Sequence, residues 1–451
     1  MAPFGFGLQI YVSIFIWQTL LGKKCLETSG PIDNFADSLT IPAFMDLYFS
    51  RLDNGIRLVH YPVRARVAYC GLIVGAGSRD ERPDEQGLAH FTEHMLFKGT
   101  TRRKAYHILS YLEDVGGELN AYTTREETSL YATVLREHYR RAVELISDIA
   151  FSSRFPPRET EREREVVIEE INSVADTPSE LIFDEFDSLL FRDDPLGRPI
   201  LGLPHTVREF DSDMVRSFMS ENYDTNKMVF CSVGDIKPKE VERLFTRYFG
   251  DIPANRTGRG RPQAVRSAPA AISLEKEGLN QAHCITGNVS FSLHDPRRKV
   301  MHLLNNLLGG QGMNSRLNMA LRERNGYAYH VESNYQPYSD TGLFSLYFGT
   351  DTKNLEKSIN LVEREMRRLK ERRLGPMQLS KARNQLKGYL ARSHENFESL
   401  MLTIGKSLLV YDKVEPVETL FAGIESITAG EVMEVAGEIF DTAGMLRLIY
   451  R

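Results

Sequence analysis

The feature that most constrains this chain is the pentapeptide HFTEH, in which His90, Glu93 and His94 form an H-x-x-E-H pattern. On an α-helix, positions i, i+3 and i+4 lie on one side, so both imidazoles and the carboxylate are expected to project together. Neutral imidazoles are good zinc ligands, and a neighbouring carboxylate can move protons for a water that the metal activates. The pattern therefore predicts a hydrolytic metal helix, with its motif inverted relative to the commoner H-E-x-x-H.

A zinc site of this kind needs a third protein ligand, with the fourth position left to water. The candidates lie in the segment EREREVVIEEI, residues 161–171, which carries five glutamates and an apolar side. Glu163 and Glu170 are seven residues apart, about two helical turns, so they are expected to share one face. Glu169 is the alternative ligand, because it is only one position away from Glu170.

Length, composition and charge restrict the class of protein. At 451 residues, the chain is long enough for two domains of about 200 residues. Its 42% hydrophobic and 26% charged residues are typical of a globular protein, and a net charge of −5 gives no basic face for nucleic acid. The cysteines are far apart, which predicts buried free thiols and no cysteine-based metal motif at Cys25, Cys70, Cys231 and Cys284.

The first 45 residues are predicted to be a leader outside the fold. Residues 4–22 contain no charge and, as a helix, would extend about 28 Å, close to the thickness of a bilayer's hydrocarbon core. They also contain several polar residues and three glycines, and they lack the basic start and the clear cleavage site of a signal peptide. We therefore expect a cytoplasmic protein, with membrane anchoring or export through residues 4–22 as the alternatives.

The hydrophobic pattern divides the remaining chain into two halves. Residues 46–251 begin with two alternating runs around Asn54-Gly55, typical of a type I′ hairpin. Residues 252–270, IPANRTGRGRPQAVRSAPA, are rich in Pro, Gly, Ala and Arg and lack apolar periodicity, which predicts a linker. Residues 271–451 form the second half, in which we expect a helix at 314–325.

A weak internal repeat connects the two halves. At an offset of 216 residues, SLY at 129–131 matches SLY at 345–347, and each tripeptide is in a predicted strand that leads into an amphipathic helix. The repeat predicts two homologous domains, of which only the first has metal ligands. At the same offset, the motif residues His90, Glu93 and His94 match Asn306, Gly309 and Gly310.

Together these motifs resemble those of the pitrilysin-type inverzincin zinc metallopeptidases, and most of all their short, two-domain bacterial type related to the mitochondrial processing peptidase. In that family a glutamate follows the second motif histidine by about 76 residues, which corresponds to Glu170, and a supporting glutamate seven residues earlier corresponds to Glu163. The resemblance implies one Zn²⁺ per chain, held by His90, His94 and Glu170. A side chain at Glu169 would also point about 100° away from the face that Glu163 and Glu170 share.

The same resemblance implies an α+β fold of two homologous α/β-sandwich domains, each a mainly antiparallel sheet covered by helices. Residues 46–251 would be the zinc-binding catalytic domain, and residues 271–451 a homologous domain without zinc ligands. The segment GGELNAYTTREETSLY implies that Asn120 and Ala121 bind an extended peptide at a sheet edge. The segment GGQGMNSRLNMALRERNGYAY implies a substrate-binding role near the metal for Arg322 and Tyr329.

These features predict a zinc-dependent metalloendopeptidase that hydrolyses peptides or unfolded protein segments. Glu93 is the predicted general base, while Tyr329 and Arg322 would stabilise or position the tetrahedral intermediate. Glu163 would orient a metal ligand from behind. The expected assembly is a homodimer whose sites are completed in trans, or a heterodimer with a zinc-less homologue. The alternative function is that of a non-catalytic or partner subunit of a heterodimeric processing peptidase.

Overall fold

The computed structural model describes residues 46–266, 271–276, 279–441 and 444–451. The predicted leader at residues 1–45, with its alternatives of an anchor or signal, lies outside the described residues, as does Cys25. Within the described ranges, no helix combines the length and the apolar character needed to cross a bilayer. The three cysteines in these ranges, Cys70, Cys231 and Cys284, are buried free thiols, as predicted.

The first half of the described chain forms a six-stranded sheet of β1 Tyr48–Arg51, β2 Arg57–Pro62, β3 Val67–Val74, β4 Glu118–Thr123, β5 Thr128–Leu135 and β6 Met228–Gly234. Across the sheet the order is β1-β2-β6-β3-β5-β4, and every neighbouring pair is antiparallel except β2 and β6. The central strands β3 and β6 are the continuous apolar runs VAYCGLIV and MVFCSVG, because both of their faces are covered. The helices of this half are α1 Leu88–Leu96, α2 Ala105–Glu113, α3 Tyr139–Phe151, α4 Pro157–Ala175, α5 Pro178–Leu190, α6 Pro204–Glu209, α7 Ser212–Asn222 and α8 Pro238–Phe249.

The second half forms a five-stranded sheet of β7 Ala271–Leu274, β8 Ala282–Ser290, β9 Ala328–Pro337, β10 Gly342–Thr350 and β11 Leu446–Tyr450. The order across this sheet is β7-β11-β8-β10-β9, with β7 and β11 parallel and the other described neighbours antiparallel. Its helices are α9 Arg298–Gly309, α10 Leu355–Glu371, α11 Pro376–Glu395, α12 Phe397–Tyr411, α13 Val417–Glu425 and α14 Ala429–Ile439.

The two sheets have one topology, which confirms the predicted repeat and the α+β fold class. In strand order and direction, β2-β6-β3-β5-β4 of the first sheet corresponds to β7-β11-β8-β10-β9 of the second. The helix that follows β3 is α1, which carries the H-x-x-E-H pattern, and the helix that follows β8 is α9. Since α9 reads RKVMHLLNNLLG, it keeps the position of the metal helix without its ligands.

The halves also exchange one helix each. Helix α5 belongs to the first half in sequence, yet its Ile182 and Phe186 pack in a cluster with Ile285 and Leu448 of the second sheet. In return, α12 lies against β3 and β6 of the first sheet, where its buried face shares a core with Ile73. Two separate sandwiches would not share cores in this way. The domain boundary at residues 252–270 therefore stays a prediction, because the two halves of the sequence do not pack as separate units.

The predicted linker is tightly bound over the part that the structure describes. It contains no helix or strand up to residue 266, as expected. However, the guanidinium of Arg261 donates to Asp80 at 2.7 Å and to the carbonyl of Glu126 at 2.8 Å. The buried Arg79 connects the halves in a similar way, since it donates to both carboxylate oxygens of Asp340 in the second half at 2.7 and 2.8 Å.

One local prediction, the turn type of the first hairpin, was wrong. The β1–β2 hairpin exists, but its loop has three residues, 53–55, closed by hydrogen bonds from Gly55 N to Leu52 O and from Leu52 N to Ile56 O. A type I′ turn needs positive φ at both central residues, whereas only Gly55, at 104°, has it here. Asn54 instead donates to the carbonyls of Phe249 and Ile252, which ties the loop to the segment after α8.

The helix expected at 314–325 is present at residues 316–323, and its greater part, Asn318–Glu323, is a π-helix. Its wider turn is visible in the hydrogen bond from Arg324 N to Met319 O, five residues apart, at 3.2 Å. The extra residue shifts the direction in which the following side chains project. Periodicity cannot reveal such a bulge, because the apolar spacing of a π-turn resembles that of an α-helix over so few residues.

The exchange of α12 predicts which glycine of the second half tolerates a methyl group. A Cβ on Gly405 of α12 would come within 2.7 Å of Ile73 Cδ1 and 2.8 Å of Cys231 Cβ, both in the first sheet. We expect Gly405→Ala to lower the free energy of unfolding by about 1–3 kcal/mol through overpacking. Gly388→Ala in α11, where a Cβ would meet nothing within 4 Å, should be neutral or stabilising by up to about 1 kcal/mol. Urea unfolding of both variants checks this, and equal midpoints would contradict the described packing of α12.

Candidate metal centre

Helix α1 is held at its N-terminal end. Gly87 has a φ of 97°, and a Cβ there would approach the carbonyl oxygen of Leu201 to 2.6 Å, so only glycine fits. The buried carboxylate of Glu81 accepts from the backbone N–H groups of Gly87 and Ala89 at 3.1 and 2.8 Å. These N–H groups would otherwise lack partners at the start of the helix. These contacts fix the start of α1 and its rotation about the helix axis, which determines where its histidines point.

Helix α4 brings the third predicted ligand to the two histidines. Glu170 Oε2 lies 3.8 Å from His90 Nε2 and 3.6 Å from His94 Nε2. One ligand atom of each of the three residues lies within 4.8 Å of the others, and no other cluster of this kind exists in the described ranges. Glu163 also faces the cluster from α4, whereas Glu169 is exposed. The face shared by Glu163 and Glu170 is thus the one turned toward α1.

The geometry of these three residues fits a zinc ion. Separations of 3.6 and 3.8 Å are too long for hydrogen bonds. They are close to the roughly 3.4 Å expected between ligands held about 2.0–2.2 Å from a tetrahedral zinc. Moreover, Glu170 Oε2 is buried and has no hydrogen-bond partner among the described residues. A buried carboxylate oxygen without a partner needs a cation, and two imidazoles plus one carboxylate is a donor set that zinc commonly takes.

Glu163 and Lys98 support His94 from the opposite side. The Nδ1–H of His94 donates to Glu163 Oε1 at 2.8 Å, which leaves Nε2 as the free nitrogen facing Glu170. The ammonium of Lys98 lies 2.6 Å from the other carboxylate oxygen of Glu163. The result is a chain from Lys98 through Glu163 to His94. It sets both the orientation and the tautomer of one predicted ligand.

Glu93 lies on the same helix but does not join the ligand cluster. Its side chain is buried, and its Oε2 accepts a hydrogen bond from Thr123 Oγ1, at the end of β4, at 2.6 Å. No hydrogen bond to its other oxygen, Oε1, exists in the described part of the chain. This arrangement leaves one carboxylate oxygen of Glu93 able to accept a proton.

The pKa values of the four ionisable groups indicate a site that attracts positive charge. Burial, with the charge of His94, lowers the pKa of His90 to about 3, so its imidazole is neutral. Burial alone would lower the pKa of His94, but the hydrogen bond to Glu163 and the nearby carboxylates raise it. Burial raises the pKa of Glu93 and of Glu170. A proton on His94 and a metal ion therefore compete for the same place.

The predicted peptide-binding residues lie on the edge strand next to this site. Strand β4 is an edge strand of the first sheet, so no described strand pairs with the backbone on its outer side. Asn120 is exposed, while Ala121 is partly buried and packs against the core that contains α1. The edge and the metal helix are therefore adjacent, as the prediction requires. Neither side chain has a described contact with the three ligands.

Arg322 and Tyr329 lie together but apart from the metal ligands. The guanidinium of Arg322 is 5.3 Å from the ring centre of Tyr329, and 85% of Tyr329 is exposed. Tyr329 is on β9, the edge strand of the second sheet, and Arg322 is in the π-helix before it. In the described part of the chain, neither forms a hydrogen bond or ion pair with His90, His94 or Glu170. The structure does not bring these two groups of residues together within one chain.

Three residues that lie at the site in the structure are not among those predicted from the sequence. Lys98 follows His94 by four positions, but it is not among the predicted site residues. Glu81 and Thr123 had no motif to mark them, because they act through the backbone of α1 and through a single hydroxyl. Spacing could have indicated Lys98. The other two depend on tertiary contacts.

Known proteins resemble this chain in sequence and in structure. Residues 59–203 match the family model described as insulinase (peptidase family M16), and residues 209–386 match the peptidase M16 inactive domain. The chain is 34% identical to an uncharacterized zinc protease of Streptomyces coelicolor, over 84% of this chain and 83% of the relative. It is 29% identical to a probable mitochondrial-processing peptidase subunit beta of Arabidopsis thaliana, over 90% of this chain and 78% of the relative.

A solved structure described as a protease from Helicobacter pylori superposes with a TM-score of 0.83 at 19% identity, over 91% of this chain and 100% of that chain. The fold therefore has two α/β domains of a known type, with mixed sheets covered by helices. The chain belongs to peptidase family M16.

The contact distances predict how two adjacent glutamates of α4 differ. We expect Glu170→Gln to weaken zinc binding by at least about tenfold, because a neutral amide replaces the carboxylate oxygen that faces both imidazoles. Glu169→Gln should leave the dissociation constant unchanged, since this side chain is exposed on another face. Competition with a chromophoric chelator measures both constants. A larger loss for Glu169→Gln would move the ligand by one residue.

Proposed function

We propose that the protein is a zinc-dependent endopeptidase that cleaves peptides or unfolded protein segments, with one zinc ion per chain. The observation that carries the proposal is the cluster of His90, His94 and Glu170 beside the buried carboxylate of Glu93. Two neutral nitrogens, one carboxylate and an adjacent base are the components of a hydrolytic zinc site. Family membership and the printed names of the zinc-protease relatives support the proposal.

Each residue of the site has a distinct task in this proposal. When bound, zinc would supply Lewis-acid catalysis, which polarises the scissile carbonyl and lowers the pKa of a water to near 7. Glu93 accepts a proton from the attacking water on Oε1 and later delivers it to the leaving amine. Glu163 holds the Nδ1–H of His94, so that the Nε2 lone pair stays directed toward Glu170.

The edge of β4 is the proposed position of the substrate. An extended peptide would add a strand to the first sheet at this edge and pair with the backbone around Asn120 and Ala121. Such pairing uses main-chain hydrogen bonds, so it recognises an extended segment rather than a particular side chain. This supports the proposed substrate class, because most segments of a folded protein already use their backbone hydrogen-bonding groups internally.

We further propose that the working form is a homodimer in which Arg322 and Tyr329 complete the site of the other subunit. Tyr329 is largely exposed, Arg322 is half-buried beside its ring, and neither has a described contact with the ligands of its own chain. A phenol and a guanidinium are suited to stabilise charge on a carbonyl oxygen in the transition state. The similarity to a subunit of a mitochondrial-processing peptidase supports the rival assembly, a heterodimer with a zinc-less homologue.

The role of Glu93 is tested by an amide replacement. We expect Glu93→Gln to keep stoichiometric zinc and to lower kcat/KM on a quenched fluorogenic peptide by at least about 100-fold, because an amide cannot accept the proton. Glu169→Gln is the matched control, since it removes an exposed glutamate and should keep parental activity. Elemental analysis and inhibition by phenanthroline complete the test. Full activity in Glu93→Gln would refute the general-base role.

The assembly in trans is tested by mixing two inactive variants. If sites are shared, a heterodimer of Glu93→Gln and Tyr329→Phe subunits contains one intact site and one doubly altered site. Random exchange of subunits should then restore roughly a quarter of parental activity. If each chain forms its own site, no intact site arises and the mixture stays as inactive as its components. Size-exclusion chromatography with light scattering checks that dimers are present, and a purely monomeric active enzyme would refute the proposal.

A further inference from the structure

The last residue of the proposed substrate-binding strand contacts the proposed general base. Thr123 Oγ1 donates to Glu93 Oε2 at 2.6 Å, and both residues are 8% exposed. Among the described residues, Thr123 is the one that donates a hydrogen bond to the Glu93 carboxylate. A charge-assisted hydrogen bond of this length is among the stronger kinds, so it holds the carboxylate in one orientation.

The position of Thr123 is itself well determined. Along β4, Leu119 and Ala121 pack against the core that contains α1, whereas Tyr122 packs against the core on the other face. Since side chains alternate, Thr123 projects toward α1. Immediately after it, the carbonyls of Thr124 and Arg125 accept from the backbone N–H groups of Ser78 and Arg79 at 3.0 and 2.8 Å. The hydroxyl therefore comes from a rigid hairpin rather than from a loose strand end.

We propose that Thr123 is a positioning residue for peptide hydrolysis, which couples the strand that binds substrate to the carboxylate that moves the proton. The inference rests on the proposed function. By holding Oε2, the hydroxyl leaves Oε1 as the proton acceptor and keeps it at a constant place relative to the edge of β4. A peptide paired with that edge is then in register with the base, because the same strand sets the position of both.

Threonine suits this task better than other hydroxyl residues. Its β-branch restricts rotation about χ1, and threonine is common in β-strands. Serine would keep the donor with more freedom, whereas valine has nearly the same shape and no donor. The chain also offers a matched control on the neighbouring strand, where Thr133 Oγ1 donates to Glu398 Oε2 at 3.0 Å. That pair has the same chemistry and involves none of the residues assigned to the site.

The test compares Thr123→Val, Thr123→Ser and Thr133→Val as zinc-loaded full-length protein with a fluorogenic peptide. We expect Thr123→Val to lower kcat by about tenfold or more at unchanged KM and unchanged zinc affinity. Thr123→Ser should restore most of the loss, and Thr133→Val should keep the parental kcat. If Thr123→Val does not fold, Thr123→Ala carries the same expectation.

A binding measurement separates positioning from a structural effect on the edge strand. The affinity for an uncleaved labelled peptide, measured by fluorescence anisotropy, should be equal for Glu93→Gln and for Glu93→Gln combined with Thr123→Val. Weaker binding by the double variant, a raised KM in place of a lowered kcat, or a parental kcat in Thr123→Val would each overturn the inference. Those results would leave the proposed function standing if the parent shows chelator-sensitive cleavage. A parent that cleaves no peptide would overturn both.

Discussion

The charge arrangement between α1 and α4 is the constraint on which the rest of the site depends. The two helices bring three carboxylates, those of Glu93, Glu163 and Glu170, close to two imidazoles. Taking carboxylates out of water costs several kcal/mol each unless partners compensate. Lys98 and His94 compensate for Glu163, and Thr123 contributes one hydrogen bond to Glu93. The buried Oε2 of Glu170 has no hydrogen-bond partner among the described residues. A cation between this oxygen and the imidazole nitrogens would compensate its charge.

Such a cluster functions only if the elements that carry it are rigid. Ligand atoms must be held to within about 0.5 Å for catalysis, and side chains on packed helices achieve this better than side chains on loops. Helix α1 is capped by Glu81, and the hairpin that carries Thr123 is bonded to the segment at Ser78. The exchanged helix α12 closes the other face of the same sheet. The second half of the chain thereby stabilises the strands beside which the chemistry takes place.

Much of the centre could be predicted from the sequence because it is built from local periodicity. His90, Glu93 and His94 share a helical face by spacing alone, and seven residues place Glu163 and Glu170 on one face. What periodicity cannot give is contact between elements distant in sequence. The bond from Thr123 to Glu93, the exchange of α5 and α12, and the π-turn before Tyr329 all follow from tertiary packing. The family resemblance supplied the pairing of α1 with α4, and spacing alone left Glu169 open.

The duplicated topology gives each half of the chain an equivalent edge strand. Each half ends in an exposed edge strand, β4 in the first sheet and β9 in the second, because the two halves share one strand order. Edge strands expose unpaired backbone groups, to which an extended peptide can bind by strand addition. The first edge lies beside the metal helix, and the second carries Tyr329 with Arg322 stacked on it. In the proposed function, one edge serves peptide binding and proton transfer, and the other stabilises charge. No described contact joins the two groups within one chain, so the proposal that both act on one substrate depends on the proposed second subunit.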